Sequence, residues 1–310
     1  MVRTLNPKLA QSVALSTRTT AIPGTRPTDH ARGMTIAFCG VLAISFDALL
    51  VRLADAGQWE VVFWRGWLIF AALAVVSVVR GEAVSLPASR RGRLAIAVAV
   101  LLMGGNTALF VLSVSNTAAA NTVVILAAAP FFAALFSWLL LREAVRRRTW
   151  IAIVAAMTGV VVVCAGGLQV GTWLGDFYAV LLAICLGGAL TLLRRYPGVG
   201  RIPVVCASGA VAGLLAWPFA EPLGLGLQSY AALGVMGLLQ MPLAMVLMAT
   251  ATRYLPSPEV SLFLLLETVL GPVWVWLVLD EGIPLLTLYG GAVVLATVAI
   301  HSWLALRDEA

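Results

Sequence analysis

Two short stretches decide how this chain folds: Trp138-Leu139-Leu140-Leu141-Arg142-Glu143 and Trp276-Leu277-Val278-Leu279-Asp280-Glu281. They lie 138 residues apart, and Trp, Leu, Leu and Glu coincide between them. Each closes a long apolar block, but the loops after them differ. Glu143 runs into Ala-Val-Arg-Arg-Arg, whereas Glu281 runs into Gly-Ile-Pro with no base. Basic loops stay on the cytoplasmic side of a membrane, so the first copy is predicted to end inside and the second outside. One motif on two sides implies a repeat inserted upside down, with an odd number of helices per copy. Inverted repeats of this kind are typical of secondary transporters, in which one half rocks against the other.

Working outward from the two motifs, ten apolar blocks are legible: 34–54, 61–79, 94–113, 118–141, 149–167, 174–193, 203–220, 230–251, 257–279 and 283–304. Each approaches the ~20 residues an α-helix needs to cross ~30 Å of hydrocarbon. Hydrophobic residues make up 61% of the chain and charged residues 11%, against about a quarter charged in a soluble domain. A water-soluble fold is therefore excluded. No loop exceeds about 14 residues, which leaves no room for a soluble catalytic domain or an ATP-binding cassette. The expected fold is all-α, with ten transmembrane helices in a 5+5 inverted-topology repeat. Residues 1–33 form a polar cytoplasmic tail, 34–167 the first repeat and 171–305 the second.

The basic residues fix the orientation. Arg3, Lys8, Arg18, Arg26 and Arg32 precede the first block; Arg80, Arg90, Arg91 and Arg93 lie in the second inside loop. Arg142, Arg146, Arg147 and Arg148 form the third group, Arg194, Arg195 and Arg201 the fourth, followed by Arg253 and Arg307. These are 18 of the 20 Lys/Arg; the outer loops carry none, so both termini are expected in the cytoplasm. A multi-pass protein of a bacterial inner membrane fits this pattern. The net charge of +6 thus reads as an orientation signal, and no nucleic-acid partner is expected. The tail lacks the apolar core of a secretory signal; an organellar transit peptide would share its composition, but a disordered cytoplasmic tail is the plainer reading.

The two motif ends, the Phe63-Trp64-Arg65 stretch opening the second block and the 5+5 layout make the chain resemble the EamA-type ten-helix members of the drug/metabolite transporter superfamily. The resemblance covers roughly residues 33–305. It implies a basket of helices around a central cavity lined by helices 1, 3, 4, 6, 8 and 9, with helices 5 and 10 at the periphery. It also implies export of amino acids, related metabolites or drug-like cations. One departure concerns the ninth helix, where family members often place Pro directly after an acidic residue. Here Glu267 is followed by Thr268, with Pro272 about one turn later, so the kink is expected to be displaced.

Ionisable groups inside a membrane cost at least ~2.5–3.5 kcal/mol each and ask for a reason. Glu267, central in the ninth block, could carry a proton or anchor a substrate amine; alternatively it is a protonated carboxyl tied to a neighbouring helix. Arg65 offers a guanidinium fork suited to a carboxylate. Arg65 starts about 6 Å and Asp47 about 10 Å below the outer helix ends at 1.5 Å per residue. A structural Asp47–Arg65 pair is the preferred reading, because buried charges usually pair. Arg52 stands five residues from Asp47 and faces it poorly. Asn106 and Gln240, at a depth similar to Glu267, could line a polar patch or tie helices together.

Pro130, Pro242 and Pro272 are expected to interrupt the fourth, eighth and ninth helices, tolerated where protein or a wet cavity satisfies the freed carbonyl. Gly209 to Gly213, Gly104-Gly105 and Gly290-Gly291 read as close helix approaches, and Trp59, Trp64 and Trp67 as an aromatic belt. Cys39, Cys164, Cys185 and Cys206 match no metal spacing, and the only histidines, His30 and His301, are 271 positions apart. No metal, cofactor or catalytic constellation is expected, which weighs against a membrane-embedded enzyme. A channel would show rings of charge or filter loops, and nothing favours a receptor. The expected partners are a small-molecule substrate, membrane lipids and protons as a candidate coupling ion; the oligomeric state is not legible.

Overall fold

A computed structural model describes residues 27–81, 86–117, 119–164, 173–279 and 285–307. Among the described residues all regular structure is helical. In chain order the α-helices are α1 (Pro27–Ile44), α2 (Asp47–Ala54), α3 (Gln58–Val79), α4 (Arg90–Asn116), α5 (Ala119–Leu126), α6 (Ala129–Phe136) and α7 (Arg147–Cys164). They continue with α8 (Trp173–Arg195), α9 (Arg201–Ala216), α10 (Leu227–Val235), α11 (Met241–Ala251), α12 (Ser257–Leu264), α13 (Glu267–Leu279) and α14 (Leu285–Arg307). Two π-helical segments, Ser137–Leu141 and Met236–Gln240, extend α6 and join α10 to α11. Among the described residues, eight helical stretches are long and apolar enough to cross a membrane, and Arg201–Ala216 is a shorter apolar helix. Asp280 and Glu281 of the second motif, and most of the tail, lie outside the described residues.

Several columns are broken near their middles, and the breaks keep the spacing of the motifs. α5 and α12 each have 8 residues, each ends in a two-residue turn, and α6 and α13 resume 138 residues apart. Pro130 accounts for the first break: it has no N–H to reach the carbonyl of Leu126, and its ring crowds that carbonyl. The turn is closed instead by Ala128 N–H donating to Ile125 at 3.0 Å. The second break corrects the sequence expectation. It falls at Leu265–Leu266, more than a turn before Pro272, and α13 runs through the proline. Thr268, in the place that corresponds to Pro130, holds it open: its hydroxyl and its N–H both return to the Leu265 carbonyl, at 2.7 and 3.2 Å. Pro242 is the second residue after the Met236–Gln240 π segment, as its missing donor leads one to expect. Ser45–Phe46 between α1 and α2 is a further break, with no proline to announce it.

The most extensive pairings are α3 with α9, α4 with α8, α7 with α14, and α1 with α11. Gly66 makes the α3–α9 crossing possible: a Cβ there would meet the Gly213 Cα at 2.8 Å and the Gly209 carbonyl at 2.8 Å. Large apolar side chains point outward along the helices, with Val78 81% and Ile151 70% exposed, a surface that only an apolar solvent would accept. Trp138 and Trp276 of the two motifs are also exposed. Trp59, Trp64 and Trp67 are not a simple belt. Trp59 stacks on Phe219, Trp64 donates to the Pro222 carbonyl at 3.2 Å, and Trp67 packs edge-on against Trp217.

Candidate functional site

The helix breaks position the polar residues. At the α1–α2 break the last carbonyls of α1 have lost their intrahelical partners, and groups from other columns serve them. Gln240 donates from Nε2 to the carbonyls of Ala43 (3.1 Å) and Ile44 (3.2 Å). Trp274 of α13 donates its indole N–H to Ser45 Oγ at 2.8 Å, and Ser45 passes the bond to the Leu42 carbonyl at 2.8 Å. Phe46 stacks on Trp274 with centroids 4.4 Å apart. Thus the break in one column is held by the eighth and ninth apolar columns.

Asp47 is the first residue of α2, and Glu267 the first of α13; both carboxyls sit where the helix dipole favours negative charge. Arg65, on one face of α3, places Nη2 2.8 and 3.0 Å from the two Asp47 oxygens. The same nitrogen lies 3.4 Å from Met236 Sδ in the π segment. The pair is well enclosed, with side-chain exposures of 11% for Arg65 and 17% for Asp47. Glu267 lies within Coulombic reach of both Asp47 and Arg65, so two acids share one base. Two atoms of this group, Arg65 Nε and Gln240 Oε1, are buried with no hydrogen-bond partner among the described residues. Buried polar atoms in this condition are uncommon and call for an explanation, such as strain, water or a bound group.

Of the residues singled out from sequence, Asp47, Arg65, Gln240 and Glu267 come together around the breaks. Asn106 has no hydrogen bond joining it to this group. Sequence reading missed Ser45 and Trp274, because neither a serine nor a tryptophan in an apolar block stands out by composition. It also missed a second cluster, at the end of the bundle where the arginine-rich segments gather. The first helix is described from Pro27 onward, ahead of the apolar block at 34–54, and so carries His30 into the fold. His30 Nε2 lies 3.5 Å from Glu259 Oε2, and His301 Nε2 lies 3.6 Å from Glu259 Oε1. The histidines that sequence distance set apart are therefore neighbours. Beside them Glu143 pairs with Arg194 at 3.4 Å, and Arg194 also donates to the Leu255 carbonyl at 2.8 Å.

An apolar-surfaced helical bundle with broken helices around a buried acid–base group defines a class, the polytopic membrane proteins that keep charged groups within the bilayer. The EamA-like transporter family profile matches the chain twice, over residues 31–165 and 173–303. The chain belongs to that family, and is an integral, multi-pass membrane protein. A comparison with curated proteins gives no significant match. One solved crystal structure of a protein superposes with a TM-score of 0.77 at 16% identity, over 88% of this chain and 98% of the other; at that identity the likeness concerns the fold alone.

Proposed function

We propose that the protein is a secondary transporter that exports amino acids or related zwitterionic metabolites by alternating access. The observation that carries this reading is the opposed charge at one site: the Arg65 guanidinium and the Glu267 carboxyl, both within reach of Asp47. A fork for a carboxylate and an acid for an amine together match the two ends of an amino acid. Arg65 Nε and the amide oxygen of Gln240 offer further hydrogen bonds. Glu267 would exchange a proton or a substrate ammonium on its carboxyl oxygens as the site turns from one face to the other. The two acids around one base also suit a cationic drug-like substrate, which is the second reading.

The fold we infer has ten spans, α7 and α9 completing the eight long apolar stretches, arranged as five plus five with the second set inverted. Three observations support it. The family profile matches twice. The breaks after α5 and α12 keep the 138-residue spacing of the two motifs. The pairing pattern is also nearly its own image: exchanging each column with the one five places later turns α4–α8 into the α1–α11 pairing, and leaves α3–α9 and α7–α14 unchanged. The arginine-rich end then faces the cytoplasm, with both termini there, in a bacterial inner membrane.

The test is flux of labelled amino acids, nucleosides and hydrophobic cations in proteoliposomes, with and without a pH gradient. Saturable amino-acid flux is expected. Arg65→Ala should impair acids bearing a carboxylate far more than simple amines, and Glu267→Gln should abolish the response to the gradient. Equal loss for both substrate classes in Arg65→Ala would reduce Arg65 to a structural partner of Asp47. Flux of cations alone would move the reading to the second one.

A further inference from the structure

The buried cluster at the arginine-rich end plays no part in the transport site around Asp47. Its members are His30, Glu259 and His301, exposed by 4%, 5% and 5%. They come from α1, α12 and α14, so they join the N-terminal half of the chain to the C-terminal half. We propose that these three residues form a proton-binding latch that holds the arginine-rich end of the bundle shut. The proposal rests on the transporter reading, since a latch matters only where that end must open.

The geometry favours a proton as the ligand. Each Glu259 oxygen faces one imidazole, at 3.5 and 3.6 Å, somewhat beyond the ~2.7–3.2 Å of a formed N–H···O bond. No group of three or more His, Cys, Asp or Glu side chains arranged to hold a metal occurs among the described residues. A cavity of about 150 Å³, lined by His30 and Glu259 with Glu143, Arg146, Arg148, Arg194 and Tyr254 among others, adjoins the cluster. It supplies a polar approach from the arginine-rich end.

Charged groups from neighbouring elements surround the cluster. Arg148 is the cation from α7 whose charge Glu259 feels, and its Nη1 already donates to the Leu304 carbonyl at 3.0 Å. Glu143 and Arg194 largely engage each other, while Arg146 and Tyr254 complete the charged and titratable lining. Imidazole is the side chain that ordinarily changes charge between about pH 5 and 8. A proton on either imidazole makes both of its ring nitrogens donors and sets a positive charge against the Glu259 carboxylate, so the contact becomes a hydrogen-bonded ion pair. That draws α12 against α1 or α14. Release of the proton loosens three helix ends at once.

The chain has only two histidines, so isotope-labelled histidine in the full-length protein, free of any tag, gives two imidazole signals to titrate by NMR. The expected result is that Glu259→Gln changes both titration curves and that His301→Gln changes the curve of His30. Curves unmoved by either substitution overturn the proposal. In proteoliposomes, the His30→Gln/His301→Gln double variant should lose the dependence of flux on pH at the arginine-rich face; an unchanged dependence there also overturns the latch. If no substrate is carried at all, the transporter reading fails, and the imidazole titration still decides whether the proton site exists.

Discussion

Removing one member of the Asp47–Arg65 pair tests how the site is held. The charge centres lie ~4 Å apart, so their attraction is about 4 kcal/mol at an effective dielectric of 20, before desolvation is set against it. Breaking a buried pair by deleting one partner costs about 3–5 kcal/mol, because the survivor is left uncompensated. The two deletions differ here, because Glu267 stands by. Asp47→Asn leaves Arg65 within reach of Glu267 and should fall at the low end, about 3 kcal/mol. Arg65→Met leaves two acids within Coulombic reach of each other with no base and should fall at the high end, about 5 kcal/mol. The double variant should be less destabilised than the sum, with a coupling energy of roughly 2–3 kcal/mol. The assay is the unfolding midpoint of the purified protein in one detergent for all four members of the cycle. Additivity within ~0.5 kcal/mol, or a costlier loss of Asp47 than of Arg65, would refute the three-charge picture.

Gln240→Met should destabilise by about 1 kcal/mol, a typical worth for a helix–helix hydrogen bond in a membrane. It leaves the Ala43 and Ile44 carbonyls without their donor, and an unchanged midpoint would mean other groups serve them. Gly66→Val should cost about 3 kcal/mol, since the new side chain meets backbone that cannot rotate away. Gly234→Ala, where nothing lies within 4 Å of an added Cβ, is the matched control, and similar shifts for both would contradict the close α3–α9 crossing.

The class of protein was settled by local information. Apolar blocks of membrane length, arginines confined to alternate loops and the paired Trp-to-Glu ends are properties of the chain that no tertiary contact alters. Glu267, Asp47, Arg65 and Gln240 were legible for the same reason, since a charge or amide in an apolar block declares itself by its cost. Pro130 and Pro242 were legible through the donor they lack. Tertiary structure decided the rest. The breaks at Ser45–Phe46 and Leu265–Leu266 have no proline; they persist because Gln240, Ser45 and Thr268 satisfy the carbonyls that the broken turns expose, with Trp274 donating to the Ser45 hydroxyl. His30 and His301 became neighbours because the start of α1 and the last turns of α14 both lie against the start of α12. That proximity comes from packing between helices, and sequence separation carries no information about it.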